Sequence, residues 1–300
     1  MSKRSQFFHA FSTTTSDKNL IIPVELISDT LWPNGYIGKK HLQNAIKEIL
    51  QNPNPQAPKT VAFSVLRVPF FLEPHYDESK PSIESNRERL IKKWGGKAGW
   101  ERQKLHHNLK GRGEAAGIPH FNLDRLTSNT MASHRLIQHV GKVYGLRISE
   151  GLYDKLNVYY FVDGYALNDR PKLAKVAHEC IARLVAEDQE RQGKMDDKPQ
   201  VDVMSEEQIL DFLNSDKGRK EIYNALDALK QMGVHGIPKF VIEGRRVVDG
   251  AAHSDIFIDV FRDIEAKGEV YGGPIFADIL GVSPEVLEKG SHTREYLEAA

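Results

Sequence analysis

The sequence predicts an α/β protein whose sheet-bearing core is interrupted by one large all-helical insertion. Three observations carry this. Two short β-branched runs, at residues 20–27 and 61–66, flank a helical segment, so the chain opens strand–helix–strand. Residues 82–192 then show helical spacing almost throughout. Two further strand-like runs, KFVIEG and RRVVDG, meet at a tight glycine turn and read as an antiparallel hairpin.

The elements follow in order. LIIPVELI is apolar and β-branched, which suits a buried strand. In YIGKKHLQNAIKEILQ, Ile37, Leu42, Ile46 and Ile49 fall near helical spacing, and NPNPQAP stops that helix. VAFSVL is the second strand. The helical block includes NRERLIKKWG, TMASHRLIQHVGKVYG, EGLYDKLNVYYFVDG and PKLAKVAHECIARLVAEDQE. IYNALDALKQMG leads through VHGIP into the hairpin, and SDIFIDVFRDIEA closes the core as an amphipathic helix. The core is therefore assigned to residues 19–73 and 200–267, the insertion to 82–195, and a peripheral tail to 268–300.

Composition excludes several classes. Lys+Arg and Asp+Glu are both 41, so the net charge is zero and no whole-molecule field favours nucleic acid or an anionic membrane. No apolar run is long enough to span a bilayer. The one cysteine, Cys180, leaves no intramolecular disulfide and no cysteine-built zinc site, and its helical setting reads as a small buried hydrophobe. His106, His107 and His120 do not match a metal-ligand spacing, so no metal is expected. GGKAGW and KGRGEAAG lack the ending of a phosphate loop. The first residues are basic, rich in Ser and Thr, and free of acids until Asp17. That fits a disordered leader on a cytoplasmic protein, with a mitochondrial presequence as the alternative.

Four segments, in the right order, resemble the DsbA-like family of thioredoxin-fold proteins, closest to its FrnE-like branch. These are Trp32-Pro33-Asn34-Gly35-Tyr36-Ile37-Gly38-Lys39, SNTMASHRL, VYYFVDGYALND and GVHGIPKFVIEGRRVVDGA. The resemblance implies a thioredoxin-like core, a cis Ile237–Pro238 bond, and a cysteine pair at the positions of Trp32 and Gly35. Neither cysteine is present. Thiol–disulfide exchange needs an attacking thiolate and a resolving thiol, so that chemistry is lost. Trp32 also cannot replace the serine with which related kappa-class glutathione transferases and chromene-carboxylate isomerases hold glutathione.

The start of the first helix still offers N–H groups suited to an anion or oxyanion. Asn34 could add an amide donor and Tyr36 a phenol. The insertion would roof the cleft with Asn129, Thr130 and His134, the last as general base or as a core histidine. Trp32 would stack on an aromatic ligand or plug the void, and the Ile237 backbone beside Pro238 would face the site. Ser254 reads as a helix cap, or by resemblance as a glutathione contact. The expected function is non-redox isomerisation, cyclisation or related proton transfer on a small, apolar or aromatic metabolite. The alternatives are a redox-inactive binding protein and a glutathione-dependent transferase. Glutathione is the one cofactor in question and a homodimer the one assembly considered.

Overall fold

The computed structural model describes residues 19–191 and 201–298. The leader and the boundaries assigned near residues 195 and 200 lie outside them. Strand β1 (Leu20–Ser28) leads into helix α1 (Pro33–Gln51) and strand β2 (Val61–Pro69). Pro33 suits the first helical turn, where its fixed φ is preorganised and no N–H is missed. The Asn-Pro-Asn-Pro segment then forbids continuation. β2 runs on to Pro69 rather than ending at Leu66.

The helical block consists of α2 (Asn86–Lys93), α3 (Lys97–His107), α4 (Leu109–Ala115), α5 (Met131–Tyr144), α6 (Leu146–Asn157) and α7 (Arg170–Arg191). A π-helical turn, Val158–Val162, follows α6 directly and was not legible in the sequence. After α7 come α8 (Glu206–Asn214), α9 (Arg219–Gln231), β3 (Lys239–Ile242), β4 (Arg246–Asp249) and α10 (Ser254–Lys267). Three short helices end the chain: α11 (Ala277–Leu280), α12 (Pro284–Lys289) and α13 (Arg294–Glu298).

The two ends of the sequence build one sheet of order β2-β1-β3-β4. β1 pairs parallel with β2 and antiparallel with β3, and β3 pairs antiparallel with β4. One face is covered by α1 and α10, whose Ile46, Phe257 and Phe261 pack with Leu26, Phe63 and Phe240. On the other face, Leu229 of α9 and Phe276 and Leu280 pack on Ile27, Leu66 and Val241. Burial on both faces explains why β1 reads as a continuous apolar run rather than an alternating one. Among the described residues, no helix is long and apolar enough to cross a membrane.

The tail is not peripheral. Phe276, Ala277 and Leu280 enter the core. Further on, Ser291 N–H donates to the Phe63 carbonyl (2.7 Å) and Phe63 N–H to the His292 carbonyl (2.9 Å). The tail thus pairs with the outer edge of β2, which would otherwise present open backbone groups. Its shortness and weak periodicity hid this role.

An ionic network joins core to insertion. Glu150 of α6 binds Arg67 of β2 through both carboxylate oxygens. Lys39 of α1 lies 4.0 Å from Glu150 and pairs with Asp154, which also accepts from Gln43 Nε2 at 2.7 Å. The Arg67 guanidinium lies over the Tyr153 ring, 4.3 Å from its centroid. Lys39, Arg67 and Glu150 are all buried.

Removing one partner from such a network strands the others in a low dielectric. Glu150→Gln leaves Arg67 without its carboxylate and Lys39 with Asp154 alone. It should cost about 3–5 kcal/mol in denaturant unfolding. Glu25, buried in β1, accepts the Phe276 N–H at 2.6 Å, and burial raises its carboxyl from 4.5 to about 7. A folded-state pKa above the unfolded value means that folding favours the proton. Glu25 therefore stabilises fully below about 4.5, and this contribution is lost as pH rises towards 7. Glu25→Gln keeps the acceptor and should flatten that part of the stability–pH curve, with its largest gain over the parent, at most about 3 kcal/mol, above pH 7.

Candidate functional site

The site is built where β1 gives way to α1. Trp32 is the N-cap of α1 but provides no side-chain acceptor. Instead its indole Nε1–H donates to the Ile237 carbonyl at 3.0 Å. The Ile237–Pro238 bond is cis, and the Pro238 carbonyl accepts the Gly250 N–H at 2.9 Å. Trp32, Ile237 and Pro238 are therefore brought together, and the indole occupies the carbonyl that an added extended ligand would use.

Gly35 leaves no room for a side chain. A Cβ there would lie 2.1 Å from Ser28 Oγ. The Ser28 hydroxyl, which also meets the Tyr153 phenol, fills the place beside α1. Asn34 was expected to offer an amide donor. What the structure leaves open is its buried Oδ1, an acceptor with no hydrogen-bond partner in the protein.

His134 comes from the second turn of α5. Its Nε2 lies 3.4 Å from Asp29 Oδ1, with both side chains almost fully buried. Asp29, at the end of β1, also accepts N–H groups of Leu31 (3.3 Å) and Leu72 (2.7 Å). These contacts hold the carboxylate beneath the α1 start, while the Phe71 ring lies 5.3 Å from the imidazole. Thr30 and Ser133 join the same two elements by a 2.8 Å hydroxyl–hydroxyl bond. Sequence reasoning missed Asp29, Phe71 and Ser133, although Asp29 stands only three positions before Trp32.

Four expected site residues do other work. Tyr36 belongs to the core: its ring stacks on Phe161 at 5.4 Å, and burial followed by the Asp154 charge pushes its hydroxyl up to about 12. That takes it out of the range for acid–base work near neutrality. Asn129 accepts from Met131 N–H and donates to the Tyr76 carbonyl, both at 2.8 Å, so its amide ties a loop to α5. Thr130 is the buried N-cap of α5, and its carbonyl accepts the Ser133 hydroxyl. Ser254 is not a cap, because His253 holds that position. The Ser254 hydroxyl lies 3.4 Å from His41 Nδ1, about two helical turns along α1 from Pro33. It is not part of the Trp32 site.

Cys180 is buried in α7, with its thiol 3.7 Å from the Gly151 carbonyl and burial raising its pKa. Among the described residues, no three His, Cys, Asp or Glu side chains cluster to hold a metal.

The contact at Gly35 has a measurable consequence. Alanine in the helix should gain up to about 1 kcal/mol from propensity, but its methyl displaces the Ser28 hydroxyl. Gly35→Ala combined with Ser28→Ala should therefore be more stable than the sum of the single variants. The expected coupling, measured by urea unfolding, is about 1 kcal/mol or more.

No protein-family model matches the chain, and no curated protein matches it. Solved structures do. A probable DsbA oxidoreductase from Streptomyces coelicolor has 21% identity, covers 85% of this chain and 93% of its own, and superposes with a TM-score of 0.63. A Nitrosomonas europaea protein proposed to be a protein disulfide isomerase has 12% identity, coverage of 83% and 99%, and a TM-score of 0.51. A 2-hydroxychromene-2-carboxylate isomerase has 14% identity, coverage of 81% and 95%, and a TM-score of 0.47, too weak a likeness to argue from. The chain has the thioredoxin-like fold with a helical insertion that DsbA-type structures share, and it carries Trp32 and Gly35 where their resemblance would place a cysteine pair.

Proposed function

We propose that this chain performs a non-redox proton transfer, such as an isomerisation or cyclisation, on a small apolar or aromatic molecule, with His134 as the acid–base group. The observation that carries this is the buried His134–Asp29 pair directly beneath the start of α1. His134 Nε2 makes no hydrogen bond at this 3.4 Å separation, but a carboxylate so placed stabilises the imidazolium that forms when the ring takes a proton. In the first turn of α1, Asn34 Oδ1 is an acceptor without a partner in the protein, free to accept from a substrate hydroxyl or N–H. Trp32 is the gate: its side chain is half-buried, held by one hydrogen bond, and can be displaced at modest cost. Neither dithiol exchange nor reduction of a disulfide is available to this site, which has no thiol.

The same Trp32 bond favours a second reading, in which the cleft binds a ligand or partner without chemistry. With Ile237 already paired, a shut cleft needs only a surface to act.

The two separate cleanly in heavy water. The protein is incubated with a panel of small aromatic and apolar ketones, and loss of the C–H protons next to the carbonyl is followed by proton NMR. The proton-transfer reading expects exchange above the buffer rate, slowed about a hundredfold or more in His134→Ala. Each rate is taken per folded molecule, with thermal midpoints measured alongside. No exchange by the parent across the panel, or an unchanged rate in folded His134→Ala, overturns it in favour of binding.

A further inference from the structure

Three arginines are buried among the described residues, and two of them are explained. Arg67 has the Glu150 carboxylate. Arg135 donates to the carbonyls of Lys217, Leu213, Phe212 and Ser215, so its guanidinium ties down the end of α8. Arg125 is different. It is 3% exposed, no carboxylate of the described residues pairs with it, its Nη1 donates to the Asn122 carbonyl at 2.9 Å, and its Nε is buried without a partner. A buried guanidinium without a counter-charge is expensive, so its retention calls for a reason.

The surroundings supply one. The Arg125 guanidinium lies 5.3 Å from the ring centroids of both Tyr160 and Phe161. Those consecutive residues belong to the π-helical turn, a feature often found at functional sites. The Tyr160 hydroxyl is buried and unpartnered, as is Nδ2 of Asn86, whose backbone N–H binds the Arg125 carbonyl at 2.9 Å. Three kinds of hydrogen-bond donor thus stand idle in one neighbourhood: a guanidinium N–H, a phenol O–H and an amide N–H₂. Arg89 stands close by; burial, and to a lesser degree the Arg125 charge, lower its pKa, and its own charge is matched by Glu73. Arg89 is about one-fifth exposed. Tyr36 of α1 stacks on Phe161, so the neighbourhood adjoins the first turn of α1.

We propose that Arg125, with Tyr160 and Asn86 beside it, binds the carboxylate of a small aromatic acid. The planar fork of a guanidinium matches a carboxylate in a bidentate fashion, and the two rings suit an aromatic body next to it. That this acid is the molecule on which His134 acts rests on the proton-transfer reading; the binding itself does not.

The test is calorimetric titration of the full chain at low salt with benzoate, against benzamide and inorganic phosphate. Benzoate is expected to bind and benzamide to bind far less. Arg125→Gln should weaken benzoate about ten- to a hundredfold, the range of a hydrogen-bonded charge. Tyr160→Phe deletes one hydroxyl, keeps the ring, and should weaken it severalfold; it decides the matter if Arg125→Gln does not fold. Benzoate binding no better than benzamide, preference for phosphate, or parental affinity in Tyr160→Phe and folded Arg125→Gln overturns the site. Arg125-dependent benzoate binding without His134-dependent exchange overturns the proton-transfer reading alone.

Discussion

Glu150 is the point on which the two halves of the molecule depend. Its carboxylate binds Arg67 of β2 from an insertion helix and faces Lys39 of α1 on the other side. Asp154, one turn further along α6, completes a set of two cations and two anions. In low dielectric such a set is tolerable only when its charges balance and its geometry is closed. The insertion therefore cannot slide or tilt against α1 and β2 without uncovering a charge. Everything built at the α1 start inherits that constraint, because His134 and Asp29 come from opposite sides of the same interface.

Within this frame the thioredoxin-like fold carries no thiol at the start of α1. Two substitutions act together at α1. Glycine at position 35 lets the Ser28 hydroxyl move into the space of a side chain, and tryptophan at 32 reaches across to the Ile237 carbonyl. Both positions are thereby filled locally. Among the buried polar atoms left unmatched are Asn34 Oδ1 at the helix start, and Arg125 Nε, the Tyr160 hydroxyl and Asn86 Nδ2 within the insertion. Buried polar atoms are ordinarily paired, so the three beside one another at Arg125, Tyr160 and Asn86 are the physical ground for looking there for a ligand.

Much of the fold was legible. The β-branched runs, the NPNPQAP stop and the helical spacing of residues 82–192 are local signals, and each element they announce is present. The tail was misread because short helices with weak periodicity look peripheral, and only contact with Phe63 and the sheet reveals their place. The π-helical turn was invisible for a different reason. VYYFV is equally at home in a strand or a buried helix, and its Phe161 carbonyl accepts the Asn122 N–H, a partner distant in sequence. At the site, the structure brings Trp32 and Ile237 together. Tyr36 packs on Phe161 and the Asn129 amide is bonded at both ends, which a side chain's type alone does not announce.

By itself, the sequence determined the order of elements and the absence of a thiol pair, because both depend on which residues stand next to one another. Backbone periodicity and the chemistry of sulfur are local facts. Tertiary structure alone decided which polar groups are spent and which remain available. Asp29 meets His134, Trp32 meets Ile237, and Glu150 meets Arg67 across long stretches of chain. A hydrogen bond or ion pair is a matter of a few ångströms in space, and no spacing along the chain encodes it.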